Sequence, residues 1–99
     1  MQTQTYNGWT NYETWNVALW LGNEEGSYLM CREMAQEARE MYAGNEDETA
    51  TAIYLADALQ ALVLECAPEL PASMFSDLLN AALSEVNWYE IAQNTLSDD

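Results

Sequence analysis

TNYETWNVALWL, residues 10–21, places three aromatic side chains and a single acid in twelve positions. At 100° per residue, Tyr12, Trp15 and Leu19 cover one side of a helix while Val17, Trp20 and Leu21 cover much of the other, leaving Glu13, Thr14 and Asn16 as polar breaks. A helix so apolar is expected to be surrounded by protein. Thr10-x-x-Glu13 has the spacing of a capping box, in which each side chain satisfies the other's orphan amide, so the helix is expected to start at residue 11.

Outward from this segment the same signals mark four more helices. Asn45-x-x-Glu48 and Asn87-x-x-Glu90 repeat the spacing with Asn as the cap, Ser27 follows the turn GNEEG, and Pro71 or Ser73 opens a helix after APELP, where the prolines block continuation of the preceding one. Gly22 and Gly44 fit as stops. The expected architecture is all-α: a single acidic domain over residues 1–99, a compact bundle with helices near 11–22, 27–43, 46–66, 72–85 and 88–97. Residues 1–8 are expected to form a Gln/Thr-rich tail, flexible or extended as an edge strand against a partner chain.

The third helix, TAIYLADALQALVLEC, is apolar nearly all round, with Asp57, Gln60 and Glu65 as its wet positions, so the first and third helices are expected to carry the core. The second is one-sided. Met30, Cys31, Met34, Ala35, Ala38 and Met41 belong to an apolar arc of about 160°, and Glu33, Glu37 and Glu40 fall within about 60° of one another on the opposite side. Met74, Phe75, Leu78 and Leu79 in the fourth helix, then Trp88, Ile91, Ala92 and Leu96 in the fifth, repeat the one-sided pattern.

Composition narrows the function. Apolar types make up 49% of the 99 residues, enough for one core and well away from the composition of disordered chains. No uninterrupted apolar run reaches the roughly 18 residues of a membrane span, and MQTQTYNG lacks the basic and apolar regions of a secretion signal, so a cytoplasmic protein is expected. There is no His, and Cys31 and Cys66 lie far apart without CxxC spacing, which removes the usual nitrogen and sulfur metal sites; no metal or cofactor is expected. Without His or Lys the familiar nucleophile and base pairings are missing, carboxylate pairs arise by chance among seventeen acids, and GNEDET lacks the ladder of a calcium loop. An enzyme is not expected.

Charge is the anomaly. Seventeen acids face Arg32 and Arg39 alone, a formal net charge of −15, which disfavours nucleic acid and anionic lipid as ligands and asks for a basic partner. The Trp residues suit a stacking platform for bases, but such a platform needs a basic track along the phosphates, so they are assigned to the core. Glu33 is followed by Glu37 at the spacing where Lys relieves helical charge, and neither Arg has an acid three or four positions away. A sphere for a chain of this length is about 33 Å across, and duplex DNA of that length carries roughly 19 phosphates, the same scale as the net charge. The candidate partner-binding residues are the stripe Glu33, Glu37 and Glu40, continuing into Glu46, Asp47 and Glu48, with Glu24 and Glu25 at the other end of the second helix. Adaptation to high salt fits less well, because Glu outnumbers Asp and Trp and Leu are abundant. A homodimer, sought on the Met-rich arc of the second helix, would lengthen the negative surface.

TNYETWNVALWL, together with DLLNAALSEVNWYEIA over residues 77–92, resembles a family of small uncharacterised proteins of phages and mobile elements. The motifs fall on core and cap positions and carry over no catalytic residue. The resemblance implies a context in which small acidic proteins act as DNA-mimicking inhibitors of restriction enzymes or CRISPR complexes. The expectation is therefore a non-enzymatic DNA mimic that fills the nucleic-acid groove of a basic host protein. The alternative is an acidic adaptor that binds one basic protein without competing with nucleic acid.

Overall fold

The computed structural model describes residues 6–44 and 48–97. It has five α-helices and, among the described residues, no strand: α1 Tyr12–Asn23, α2 Glu25–Met41, α3 Glu48–Cys66, α4 Met74–Ser84 and α5 Trp88–Ser97. α3 is central, packed on α2 and α5, while α1 lies across α2 and α5. α3 is long and apolar enough to cross a membrane by length and composition, contrary to the expectation that no segment would be. Here it is a core helix of the bundle.

Small side chains at the crossings build this core. Ala35 and Ala38 of α2, Ala52 and Ala56 of α3 and Ala92 of α5 are buried around Leu55, Leu59 and Ile91. Small residues let helix axes approach toward the short end of the 8–10 Å range, which pushes larger side chains to the rim. α1 is consequently not surrounded, as its composition suggested. Its one buried residue is Thr14, while Tyr12 is 51% and Trp20 66% exposed. Val17, Ala18 and Leu21 pack against the core from the side that Thr14 centres.

The caps explain the helix ends, with three corrections. Asn11, not Thr10, caps α1: its Oδ1 accepts from the Thr14 amide at 2.9 Å. The Thr10 amide instead donates to Glu90 Oε1 at 3.1 Å, tying the start of α1 to α5. Gly22 does not stop α1, which runs through it to Asn23, and only Glu24, in an extended conformation, separates α1 from α2. Ser27 is not a cap but an internal residue of α2, its hydroxyl donating back to the carbonyls of Leu21 and Glu24. Asn87 caps α5 through the Glu90 amide at 3.1 Å, and Ser73 caps α4 in a full capping box with Ser76. Gly44 stands past the end of α2 with φ +87, the left-handed conformation that glycine adopts without steric cost. The cap expected at Asn45 lies outside the described residues.

Of the segment expected as a tail, residues 1–5 lie outside the described residues, and residues 6–8 form a turn. Tyr6 and Trp9 exchange two backbone hydrogen bonds of 2.8 Å across Asn7 and Gly8, both at positive φ. That is the Asn-Gly turn of a tight hairpin, a signal in YNGW that the reading of an extended edge strand passed over. It folds Tyr6 onto Tyr12 and Trp15, with ring centroids 5.2 and 4.8 Å apart, and sets Trp9, half-buried, against the core.

Candidate functional site

α2 and α3 form a helical hairpin, and its outer side carries the acidic stripe. Cys31, Ala35 and Ala38 are buried toward the core, which by helical geometry turns Glu33, Glu37 and Glu40 outward, and all three are exposed. The stripe is fixed to α3 at its middle. Tyr54 Oη donates to Glu37 Oε1 at 3.1 Å, and the rings of Tyr54 and Tyr42 meet edge to face at 6.0 Å. The hydrogen bond to Glu37, and then its charge, push the Tyr54 phenol above its ordinary value. Gln36 Nε2 donates to Glu40 Oε1 at 3.3 Å.

Asp57, a wet position in the sequence, is exposed on α3 one turn beyond Tyr54. Glu48, the first residue of α3, is exposed at the hairpin's loop end. Glu46 and Asp47 lie outside the described residues.

The structure does not bring Glu24 and Glu25 into the stripe. Nine positions, a rise of about 14 Å at 1.5 Å per residue, separate Glu24 from Glu33, the nearest residue of the stripe. Glu24 lines a different cavity, between α1 and α4, and Glu25 sits in the first turn of α2, where a carboxylate complements the helix dipole. Other acids, Glu65, Glu69, Asp77 and Glu85 among them, are exposed on α3, α4 and the connections.

Both cations are turned to tasks of their own helices and neighbours. Arg39 Nη2 donates to the Leu96 carbonyl at 2.6 Å, close to the end of α5, where positive charge complements the dipole. Arg32 lies 5.7 Å from the Tyr28 ring centroid and donates to its hydroxyl at 3.3 Å.

The charge density is lower than a spherical shape implied. The molecule measures 46 × 37 × 22 Å, and duplex DNA 46 Å long carries roughly 27 phosphates, so a net charge of −15 gives about half the duplex density. Within the stripe the spacing is closer, because residues three and four apart stand about 5–6 Å apart on a helix.

Among the described residues no three Cys, Asp or Glu converge as metal ligands. A cleft of about 630 Å³ between the Asn7–Gly8 turn, the start of α3 and α5 holds Glu48 and Glu90, but Glu90 is already bonded to the Thr10 amide. Cys31 is buried, and burial pushes its thiol above the ordinary value; Cys66 is exposed.

No curated protein and no solved structure matches this chain. The model of a family described as "Family of unknown function (DUF7249)" matches residues 2–96, and with nearly its whole length inside that match the chain belongs to this family.

Proposed function

We propose that this protein is a non-enzymatic DNA mimic of phage or mobile-element origin. In this reading the α2–α3 hairpin enters the nucleic-acid groove of a basic host defence protein, a CRISPR effector or restriction enzyme, inside the host cell. One observation carries it: Glu33, Glu37 and Glu40 stand exposed on one arc of α2, in a chain that has no Lys. Such a stripe costs helix stability, since like charges four residues apart repel by a few tenths of a kcal/mol. A basic groove recovers that cost, attracts the stripe over long range and loses it steeply as salt rises.

A second reading follows from the molecule's elongated shape. At about half the charge density of a duplex, the hairpin also fits a basic protein surface that is not a nucleic-acid groove, which makes the protein an acidic adaptor.

One experiment separates the two. A basic protein captured from host lysate on the immobilised chain at 50 mM salt is challenged with a 30-base-pair duplex at the same ionic strength. The mimic predicts elution by duplex and loss of the partner's gel shift when the protein is added; a partner that holds both at once favours the adaptor. The triple variant E33K/E37K/E40K is expected to capture at least tenfold less while keeping its helical circular dichroism. Undiminished capture by that variant rejects this face in either reading.

A further inference from the structure

The cleft of about 630 Å³ between the Asn7–Gly8 turn, the start of α3 and α5 falls within the roughly 300–1,000 Å³ of small-molecule sites. Its walls mix rings, carboxylates and amides. Trp9 and Tyr89, both half-buried against the core, line it, and the hydrogen bonds of 2.8 Å between Tyr6 and Trp9 hold the turn that brings Trp9 there. Glu48, the first residue of α3, and Glu90, in the first turn of α5, are the charged residues of the lining, and Gln93 and Asn94 add side-chain amides. Glu90 is held in place, since its Oε1 accepts from the Thr10 amide at 3.1 Å. A carboxylate so bonded keeps capacity for further donors. Arg39 reaches the Leu96 carbonyl from α2 and does not line the cleft.

From this lining we propose that the cleft binds an aliphatic polyamine, a flexible methylene chain that carries several ammonium groups. The sign comes first. Both charged residues of the lining are acids, and the opposed half-charges of the α3 start and the α5 end offset one another, so the carboxylates decide. The net charge of −15 further raises the local concentration of cations and repels anions. The ligand is organic rather than a metal ion. Among the described residues no three acids converge, whereas calcium takes six to eight oxygens. Trp9 and Tyr89 have no task toward a hydrated ion, but ring faces attract ammonium groups, and with Leu96 they give methylene groups an apolar wall.

More than one ammonium group is needed. Glu48 and Glu90 stand on different helices, so a single ammonium, such as that of a lysine side chain, satisfies one carboxylate and leaves the other without a counter-charge. The amide oxygens of Gln93 and Asn94 accept further N–H donors of a longer amine. This inference does not rest on the proposed function, because Glu33, Glu37 and Glu40 do not line the cleft. Glu48, which the sequence groups with them, does.

Calorimetric titration with spermidine at 0.05 M NaCl tests it, beside Mg²⁺ as an inorganic cation and N-acetyl-lysine amide as a single ammonium. Saturable binding of one spermidine per chain is expected, tighter than either control. E48Q/E90Q should weaken it by at least about tenfold, as the loss of two charge-assisted hydrogen bonds implies, while Gln at 90 keeps an oxygen for the Thr10 amide. E65Q/E69Q removes the same charge, with residue 65 about 26 Å along α3 from Glu48, and should leave binding within about twofold. A measurement on the unaltered protein covers the case in which E48Q/E90Q fails to fold: in amide correlation spectra spermidine should shift Gly8, Thr49, Gln93 and the Trp9 indole, with the amides of Glu33, Glu37 and Glu40 nearly still. Spermidine that binds no tighter than Mg²⁺ or the lysine amide, equal losses in the two double variants, or shifts spread evenly onto α2 overturns the proposal.

Discussion

Thr14 shows how much one hydroxyl can join. It is fully buried, its Oγ1 donates to Asn11 Oδ1 at 2.6 Å and accepts from the Asn87 amide at 2.9 Å, and Asn11 in turn donates to the Glu85 carbonyl at 2.7 Å. The cap of α1 and the start of α5 therefore form one hydrogen-bonded unit. Thr14→Val keeps the shape and strands these partners, so it is expected to cost about 1–3 kcal/mol, each kcal/mol lowering the melting temperature by about 4–8 °C in a domain this small. Asn11→Ala should cost about 0.5–2 kcal/mol as a lost cap, and Thr10→Ala far less; thermal melts followed by circular dichroism rank the three. At Tyr54 the sign follows from the raised pKa. A phenol that binds its proton more tightly when folded contributes stability in full below its unfolded value of 10.0 and loses it as pH climbs through the higher folded value. Absorbance titration at 295 nm should find a late-titrating tyrosine above pH 10 that disappears in Tyr54→Phe and titrates earlier in Glu37→Gln.

At the scale of elements the five helices differ in how firmly they are held. α3 buries Leu55 and Leu59 completely between α2 and α5, so Leu55→Ala or Leu59→Ala is expected to cost about 2–5 kcal/mol through the cavity it leaves. Leu78→Ala on α4, measured in dilute solution, should stay within about 0.5 kcal/mol. Denaturant unfolding of the three variants checks the contrast. Amide exchange should follow the same order, with α4 exchanging soonest, since local opening is cheapest where few apolar contacts are lost. Helix positions were legible in the sequence because caps and proline breaks act within a few residues: Ser73 and Asn87 start α4 and α5 where their side chains reach the next amides. Thr10 and Asn11 are both good caps one position apart, and the Asn11 contact with Glu85, 74 residues distant, favours Asn11.

For the whole molecule the net charge of −15 sets the response to salt. Dilute NaCl changes apolar burial little, while self-repulsion between exposed carboxylates falls as the screening length shrinks from about 30 Å at 0.01 M to about 10 Å at 0.1 M. A cooperative melt in 10 mM buffer is therefore expected, with the midpoint rising by several degrees at 0.5 M NaCl; unfolding in dilute buffer would instead mark a protein adapted to molar salt. The all-α class, six of the helix ends to within one residue and the outward arc of Glu33, Glu37 and Glu40 were legible in the sequence, because periodicity, capping and charge spacing are local properties of the chain. Packing of the helices set what periodicity could not: Thr14 lies deeper than Trp20, Tyr54 fastens Glu37, Glu24 lines the groove between α1 and α4, and α4 keeps an apolar face uncovered. Burial depends on which helices cross and how closely, and small residues at those crossings won the interior over the larger side chains that a single helix, taken alone, would be expected to hide.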